Sequence, residues 1–212
     1  MKDYRNVLKT IGGYSLMIAG FVAAIALCFH PDEFVPGSVL LSAWRPVHLA
    51  LLVAFTISIF GVVGVFTAMA GKPTGLGIAA FILGVIGSAW SAAIVVLEVF
   101  VLPPLAAQSE QQVPLMEMMG PTTPFHALGV YFMSAVMIWI LAWVLIGVVL
   151  IRSHLFKKQV GILIIAASVA IAVPTHFAGD LNMPLHIIVS LLFGGSWIIL
   201  GNALVKLQPG NG

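Results

Sequence analysis

The feature that most constrains this chain is a series of six apolar runs separated by short segments that hold its charges, prolines and glycines. A helix needs roughly 17 to 25 mostly apolar residues to cross the hydrocarbon core of a bilayer. Because runs of about this length recur from one end of the chain to the other, we predict six transmembrane helices. Their approximate bounds are 12–29, 47–70, 75–102, 125–151, 160–175 and 185–205.

The composition leads to the same conclusion. Hydrophobic residues make up 61% of the 212 residues and charged residues only 8%, and the mean hydropathy is +1.13. A soluble domain carries about a quarter charged residues, so this chain cannot coat a water-exposed surface. We therefore expect an all-α, polytopic integral membrane protein with a single membrane domain over 1–212. We expect it in a cell membrane, specifically the inner membrane, with the lipid bilayer as its principal partner.

The distribution of basic residues predicts the orientation. Cytosolic loops of membrane proteins carry an excess of Lys and Arg. If the N-terminus is cytosolic, eight of the nine basic residues fall on the inner side and only Arg45 falls outside. We therefore expect both termini in the cytoplasm. The inner residues are Lys2, Arg5, Lys9, Lys72, Arg152, Lys157, Lys158 and Lys206.

A short pattern recurs at the start of each even-numbered predicted span. Proline is followed two residues later by histidine, at Pro46 and His48, Pro124 and His126, and Pro184 and His186. Proline fits the first turn of a helix because its missing N–H would have no partner there. The pattern predicts three sequential hairpins, at about 11–72, 73–158 and 159–207, related by a pseudo-threefold parallel repeat.

In this arrangement, the three repeated histidines would form a ring near the outer surface. Imidazole binds metals and haem iron, and three imidazoles with an open position suit zinc or copper. We consider His48, His126 and His186 as metal ligands, and these three with Glu98 as binding residues for a cofactor such as haem or quinone. None of these groups is favoured over the others. The structural alternative is a belt of amphipathic rings at the membrane interface.

Glu98 is the one acidic residue inside a predicted span. An ionisable group at such a place is costly and often functional. One hypothesis is that Glu98 joins the histidines as a metal ligand or proton acceptor, or pairs with Arg45. The other is that the helix ends earlier and leaves Glu98 in water.

Three methionines cluster in the longest predicted outer loop, at Met116, Met118 and Met119. Thioethers are soft ligands for Cu(I), so a copper role has to be considered. The simpler interpretation is a short amphipathic segment that lies on the bilayer or against a partner.

The sequence excludes several classes of function. It holds no phosphate-binding loop, no His-Glu-x-x-His pattern and no Gly-x-Ser-x-Gly pattern, and its net charge of +2 gives no basis for nucleic-acid binding. Our first expectation is a non-enzymatic accessory or structural subunit that packs with other membrane protein subunits. The alternatives are a redox or metal protein with an outer His/Glu cluster, and a small transporter.

Overall fold

All regular secondary structure that a computed structural model describes in this chain is helical. The structure describes residues 2–69, 74–108, 113–172 and 182–207. The helices are α1 (Lys2–Cys28), α2 (Trp44–Met69), α3 (Gly75–Phe100), α4 (Leu102–Ala107), α5 (Leu115–Met118), α6 (His126–Ser153), α7 (Lys158–Ala170) and α8 (Asn182–Lys206), with a 3₁₀ turn at Ser38–Leu40. The expected all-α class is confirmed for this part of the chain.

Five of these helices are long and apolar enough to cross a membrane, namely α1, α2, α6, α8 and the segment formed by α3 with α4. This length and composition are compatible with a multi-pass membrane protein. The shorter α7 has 13 residues, which gives a length of about 20 Å against the roughly 30 Å of a hydrocarbon core. The predicted fifth span runs to residue 175, and residues 173–175 lie outside the described ranges. The sixth crossing therefore stays a prediction.

The predicted spans match the helices closely except at their ends. The helix α1 begins at Lys2 and not near residue 12, because lysine and arginine are good helix formers and extend the helix beyond the apolar run. Similarly, α2 begins at Trp44 and includes Pro46 in its first turn. Beyond the end of α3, Pro103 and Pro104 lie in the first turn of α4, so these prolines start a new short helix.

The six longer helices are arranged as a closed ring. Each of α1, α2, α3, α6 and α7 packs against the next in this order, and α8 returns to pack against α1. We call the end at which α1 and α3 finish and α2, α6 and α8 begin the histidine end, and the opposite end the basic end. The candidate site described below lies at the histidine end.

Glycines bring α1 into direct backbone contact with both of its neighbours. On one side, Gly12 faces Gly64 of α2, and on the other Gly20 faces Gly194 of α8. A methyl group added to Gly194 would overlap the carbonyl oxygen of Gly20 and the Cβ of Ala24. Small residues let helix backbones approach closely in lipid, and Gly20 and Ala24 form such a packing face on α1.

Large aromatic side chains fill the interior of the ring. Trp143 and Trp197 are fully buried with ring centroids 4.7 Å apart. Trp139 and Phe193 pack against Trp197 at 5.9 Å and 4.8 Å. Their burial identifies these tryptophans as packing residues of the bundle.

At the basic end, the first and last helices are joined by a hydrogen bond. The Lys9 ammonium, which is 8% exposed, donates to the backbone carbonyl of Leu207 just beyond α8. The C-terminal end of a helix carries partial negative charge, which favours a cation there. This contact holds the start of α1 against the end of α8.

We predict that Gly194→Ala destabilises the protein by about 1–3 kcal/mol, because the added methyl group would overlap backbone that cannot rotate away. Gly195→Ala is the matched control, since nothing lies within 4 Å of a Cβ at that position. The measurement is the thermal unfolding midpoint of both variants in the same detergent. Equal midpoints for the two variants would contradict the assigned α1–α8 interface.

Candidate metal centre

Two histidines and two glutamates come together at the histidine end. His30 and Glu33 lie in the segment after α1, His48 lies in the first turns of α2, and Glu98 lies near the end of α3. Three successive elements of the chain thus each supply part of one cluster. We call these four residues the His/Glu cluster.

His48 is the most buried member of the cluster, with no exposed surface. Its Nδ1 lies 2.7 Å from the carbonyl oxygen of Trp44, one helical turn earlier. Because a carbonyl oxygen can only accept, Nδ1 carries the proton and donates it. In the neutral ring, Nε2 then bears a lone pair. This atom has no hydrogen-bond partner among the described residues and lies 3.6 Å from Oε2 of Glu98.

Trp44 fixes the orientation of both His48 and Glu98. Its indole stacks on the imidazole of His48 with ring centroids 4.0 Å apart and planes 25° apart. Its Nε1 donates a 2.8 Å hydrogen bond to the backbone carbonyl of Glu98. The side chain is fully buried, so it joins α2 to α3 directly beside the cluster.

The other half of the cluster repeats this geometry. The Nδ1 of His30 lies 2.9 Å from the carbonyl oxygen of Pro31 and donates to it, and its Nε2 lies 3.7 Å from Oε1 of Glu33. The His30 and His48 rings are 4.7 Å apart. One ligand atom from each of His30, Glu33 and His48 lies within 4.8 Å of the other two. Both imidazoles therefore present lone pairs to a small common space.

Burial sets the protonation of the two residues that lie outside the membrane spans. It lowers the pKa of His30 to about 3, with His48 and His186 adding to this effect and the Pro31 hydrogen bond opposing it. Burial, together with a smaller contribution from the neighbouring Asp32 carboxylate, raises the pKa of Glu33 to about 7. At neutral pH, the His30 ring is thus uncharged. Glu33 is also close enough to Glu98 for the two carboxyl groups to interact electrostatically.

An apolar cap covers the cluster. Leu115 of α5 donates its backbone N–H to the carbonyl of Glu33 at 3.1 Å. Buried apolar side chains from four parts of the chain pack together here: Val39, Trp44, Leu102, Leu115 and Met119. We call this group the cap. It includes one of the three loop methionines, Met119, which packs against the bundle.

The structure places the predicted site residues in three different settings. His48 and Glu98 face each other. The Nε2 of His186 lies 2.7 Å from the carbonyl oxygen of Leu27, which also accepts the backbone N–H of His30. His126 is exposed and lines a separate groove with several side chains of α6.

The position of each helix start explains this difference. His48 and His186 are each the fifth residue of their helices, which begin at Trp44 and Asn182. His126 is the first residue of α6, and Pro124 precedes that helix. Similar tripeptides thus place their histidines at different depths, so His126 does not join His48.

The structure also decides between the two hypotheses for Glu98. Its side chain is buried, with the residue only 4% exposed, so the hypothesis of a carboxylate in water is wrong. Arg45 is exposed, and the facing group of Glu98 is His48. The apolar ends of α2 and α3 pack together beside it through Val47, Leu51, Val95 and Val99.

Sequence reasoning missed His30 and Glu33 as members of the site. Both lie in a predicted connection where histidine and acidic residues are common, so neither stood out. The available signal was their spacing of three residues, directly after the first span, in His30-Pro31-Asp32-Glu33.

The cluster has the chemistry of a cation site. Two imidazole lone pairs and two carboxyl groups converge, and ionised carboxylates are acceptors only. Acceptors that face one another in such a partly buried site repel unless a metal ion, or a proton on one of the carboxyl groups, lies between them. A flat macrocycle does not fit between the imidazoles, because the His30 and His48 rings already contact each other.

Comparison of the chain with protein-family models, with curated proteins and with solved structures finds no match. The geometry of the cluster is therefore the basis for the proposed function.

We predict that Trp44→Phe lowers the free energy of unfolding by about 1 kcal/mol, since it keeps an aromatic ring against His48 but removes the hydrogen bond to Glu98. Trp90→Phe is the control, because the Trp90 indole N–H has no partner among the described residues. Thermal unfolding in detergent measures both. A loss of stability no larger for Trp44→Phe than for Trp90→Phe would show that this bond does not join α2 to α3.

Proposed function

We propose that this chain is a non-enzymatic, multi-pass membrane protein that binds a metal ion at its histidine end. The observation that carries the proposal is the Nε2 of His48, which is fully buried, has no hydrogen-bond partner among the described residues and faces Glu98 at 3.6 Å. An unsatisfied acceptor in such a place costs free energy unless a ligand completes it.

The second coordination shell favours a metal over an ordinary hydrogen bond. Histidines that ligate metals almost always donate their other ring N–H to a carbonyl or carboxylate. Both His30 and His48 do so, to Pro31 and Trp44. The distances from their Nε2 atoms to the carboxylate oxygens, 3.7 Å and 3.6 Å, are too long for direct hydrogen bonds. An ion between these atoms would satisfy all of them.

We further propose that the chain crosses the membrane six times, with both termini in the cytosol and the His/Glu cluster on the outer side. The closed ring supports six crossings, because α7 fills the place between α6 and α8. The distribution of basic residues supports the orientation. A pseudo-threefold relation among the hairpins is part of this proposal. The different helix starts at His48 and His126 make it an approximate one.

We expect a reporter enzyme that works only in the cytosol to be active when it is fused after Gly212. The physical reason is the excess of lysine and arginine on the predicted inner loops. A reporter fused within the long segment between α3 and α6 is the matched control and should report the opposite side. An external signal from the C-terminal fusion would reverse the proposed orientation.

We predict that protein purified in detergent and exposed to Zn²⁺, then desalted, retains about one metal ion per chain. His48→Ala removes a central ligand and should reduce this content to near zero. His126→Ala is the control and should retain the ion, because His126 lies outside the cluster. Elemental analysis by mass spectrometry measures all three proteins.

Two results would contradict the proposal. Wild-type protein that retains no metal after exposure to Zn²⁺ would rule out the proposed metal binding. Equal losses in His48→Ala and His126→Ala would show that the ion binds elsewhere or without specificity.

Membership in a larger membrane assembly is a second proposal, compatible with the first. It is supported by an open, mostly apolar groove of about 440 Å³ at the histidine end of α6, lined by Met119, Pro121, His126, Gly129, Val130, Met133, Ser134 and Met137. Apolar grooves of this kind are common places for partner contact. Native mass measurement after mild solubilisation tests it, and a chain that always runs alone would contradict it. Transport, the third of the sequence-based alternatives, stays a prediction.

A further inference from the structure

We infer that the metal is a divalent ion of the zinc class, held by all four residues of the His/Glu cluster in a closed site that fastens the cap to the bundle. This inference rests on the proposed function and adds to it the fourth ligand, the class of ion and its role. The ligand atoms are the Nε2 atoms of His30 and His48 and one carboxylate oxygen each of Glu33 and Glu98.

A tetrahedral ion requires the ligand atoms of the cluster to move closer together. With zinc–ligand distances of about 2.0–2.1 Å, neighbouring ligand atoms of a tetrahedron lie about 3.3 Å apart. The nitrogen-to-oxygen distances are 3.7 Å for His30 and Glu33 and 3.6 Å for His48 and Glu98. Each of these two pairs needs to close by a few tenths of an ångström. The ligand atoms of His30, Glu33 and His48 lie within 4.8 Å of one another and need to close by up to about 1.5 Å to reach this spacing, a movement that side-chain rotation supplies.

Glu98 completes the set because its carboxyl group faces the Nε2 of His48 at 3.6 Å. The Trp44 ring covers one face of the imidazole, and the Nε2 edge is left for Glu98. The Glu98 side chain has almost no contact with solvent, and its carboxyl group interacts electrostatically with that of Glu33. Two neighbouring carboxylates repel when both are ionised, and a divalent ion between them reverses the sign of this interaction.

The donor types indicate the class of ion. Imidazole suits zinc, iron, copper and nickel, whereas magnesium prefers an all-oxygen octahedral set with several waters. The cluster offers no thiolate or thioether among its four members, so it does not suit Cu(I). Two imidazoles and two carboxylates, of which His48 and Glu98 are buried and His30 and Glu33 half-buried, are a set that Zn²⁺ accepts with four-coordinate geometry.

The four ligands come from three parts of the chain, and this gives the ion its role. His30 and Glu33 belong to the segment between α1 and α2, His48 to α2 and Glu98 to α3. The carbonyl of Glu33 also receives the N–H of Leu115 from the cap. An ion bound here therefore joins the α1–α2 connection to the start of α2 and the end of α3. Through Glu33, it also holds the cap in place. A site with four protein ligands leaves no position for substrate, as in structural zinc sites.

The test uses the full chain in detergent, stripped of metal with a chelator and then titrated with Zn²⁺, with Mg²⁺ as the comparison ion. Glu98→Gln has the same size and shape as the natural side chain and should keep the fold. We expect one Zn²⁺ per wild-type chain. In Glu98→Gln, the affinity for Zn²⁺ should be at least about 100-fold lower, because loss of a residue that only supports a ligand lowers metal affinity by about 10- to 100-fold. Glu117→Gln is the matched control, because Glu117 is exposed and outside the cluster. It should bind Zn²⁺ like the wild type.

The second measurement is amide hydrogen exchange of residues 30–41 with and without Zn²⁺. An ion that holds this segment slows its opening by the factor 1 + [L]/Kd, about elevenfold at a free Zn²⁺ concentration ten times Kd. Mg²⁺ should give no such protection. X-ray absorption of the zinc-loaded protein should show four nitrogen or oxygen neighbours at about 2.0–2.1 Å.

The outcomes separate the two proposals. If Zn²⁺ binds, is lost in His48→Ala, but binds Glu98→Gln as tightly as wild type, the four-ligand site is wrong and metal binding stands. Zinc binding without slower exchange in residues 30–41 would overturn the fastening role. If neither wild type nor control binds Zn²⁺, the proposed function fails together with this inference.

Discussion

The contact on which the rest of the structure depends is the close approach of α1 to α2 and α8 at glycines. In hydrocarbon, apolar side chains gain little by leaving lipid for one another, so helices associate through tight packing of small residues. Gly12 meets Gly64, and Gly20 meets Gly194. These contacts fix the direction of α1 and its height in the bundle, and so the position of its C-terminal residue, Cys28. His30 follows two residues later and is thereby placed against His48.

The treatment of buried polar groups distinguishes the His/Glu cluster from the rest of the interior. Within the spans, serine hydroxyls bond to carbonyls of the preceding turn, and Ser58 also donates to Ser88. The indole N–H groups of Trp139, Trp143 and Trp197 lack partners among the described residues, but they are isolated donors on large apolar rings. At His48, by contrast, an unsatisfied acceptor faces other acceptors. Only the second arrangement supports the proposed positive ion.

Hydropathy was sufficient to predict the helical class and the approximate bounds of five long helices, because length and apolarity follow directly from the thickness of the bilayer. It was less informative about α7, whose described part is short. At the site, Glu98 stood out because a charge inside a span is unusual, and His48 because of the repeated tripeptide. The same repeat drew attention to His126, since a sequence pattern does not reveal on which residue a helix begins. His30 and Glu33 belong to a connection, and their place beside His48 follows from how α1 and α2 pack, which is a property of the assembled ring.

The closure of the ring between α1 and α8 has a consequence for how the protein is made. The helix α1 carries a glycine face whose partner, α8, lies far later in the chain and is synthesised after it. Until α8 is inserted, Gly13 and Gly20 have only lipid or helper proteins to contact on that side. Closure of the ring therefore waits for the step that seats α8 and brings Leu207 to Lys9 and Leu27 to His186. A chain cut short before α8 would keep an open seam that cellular quality control can recognise.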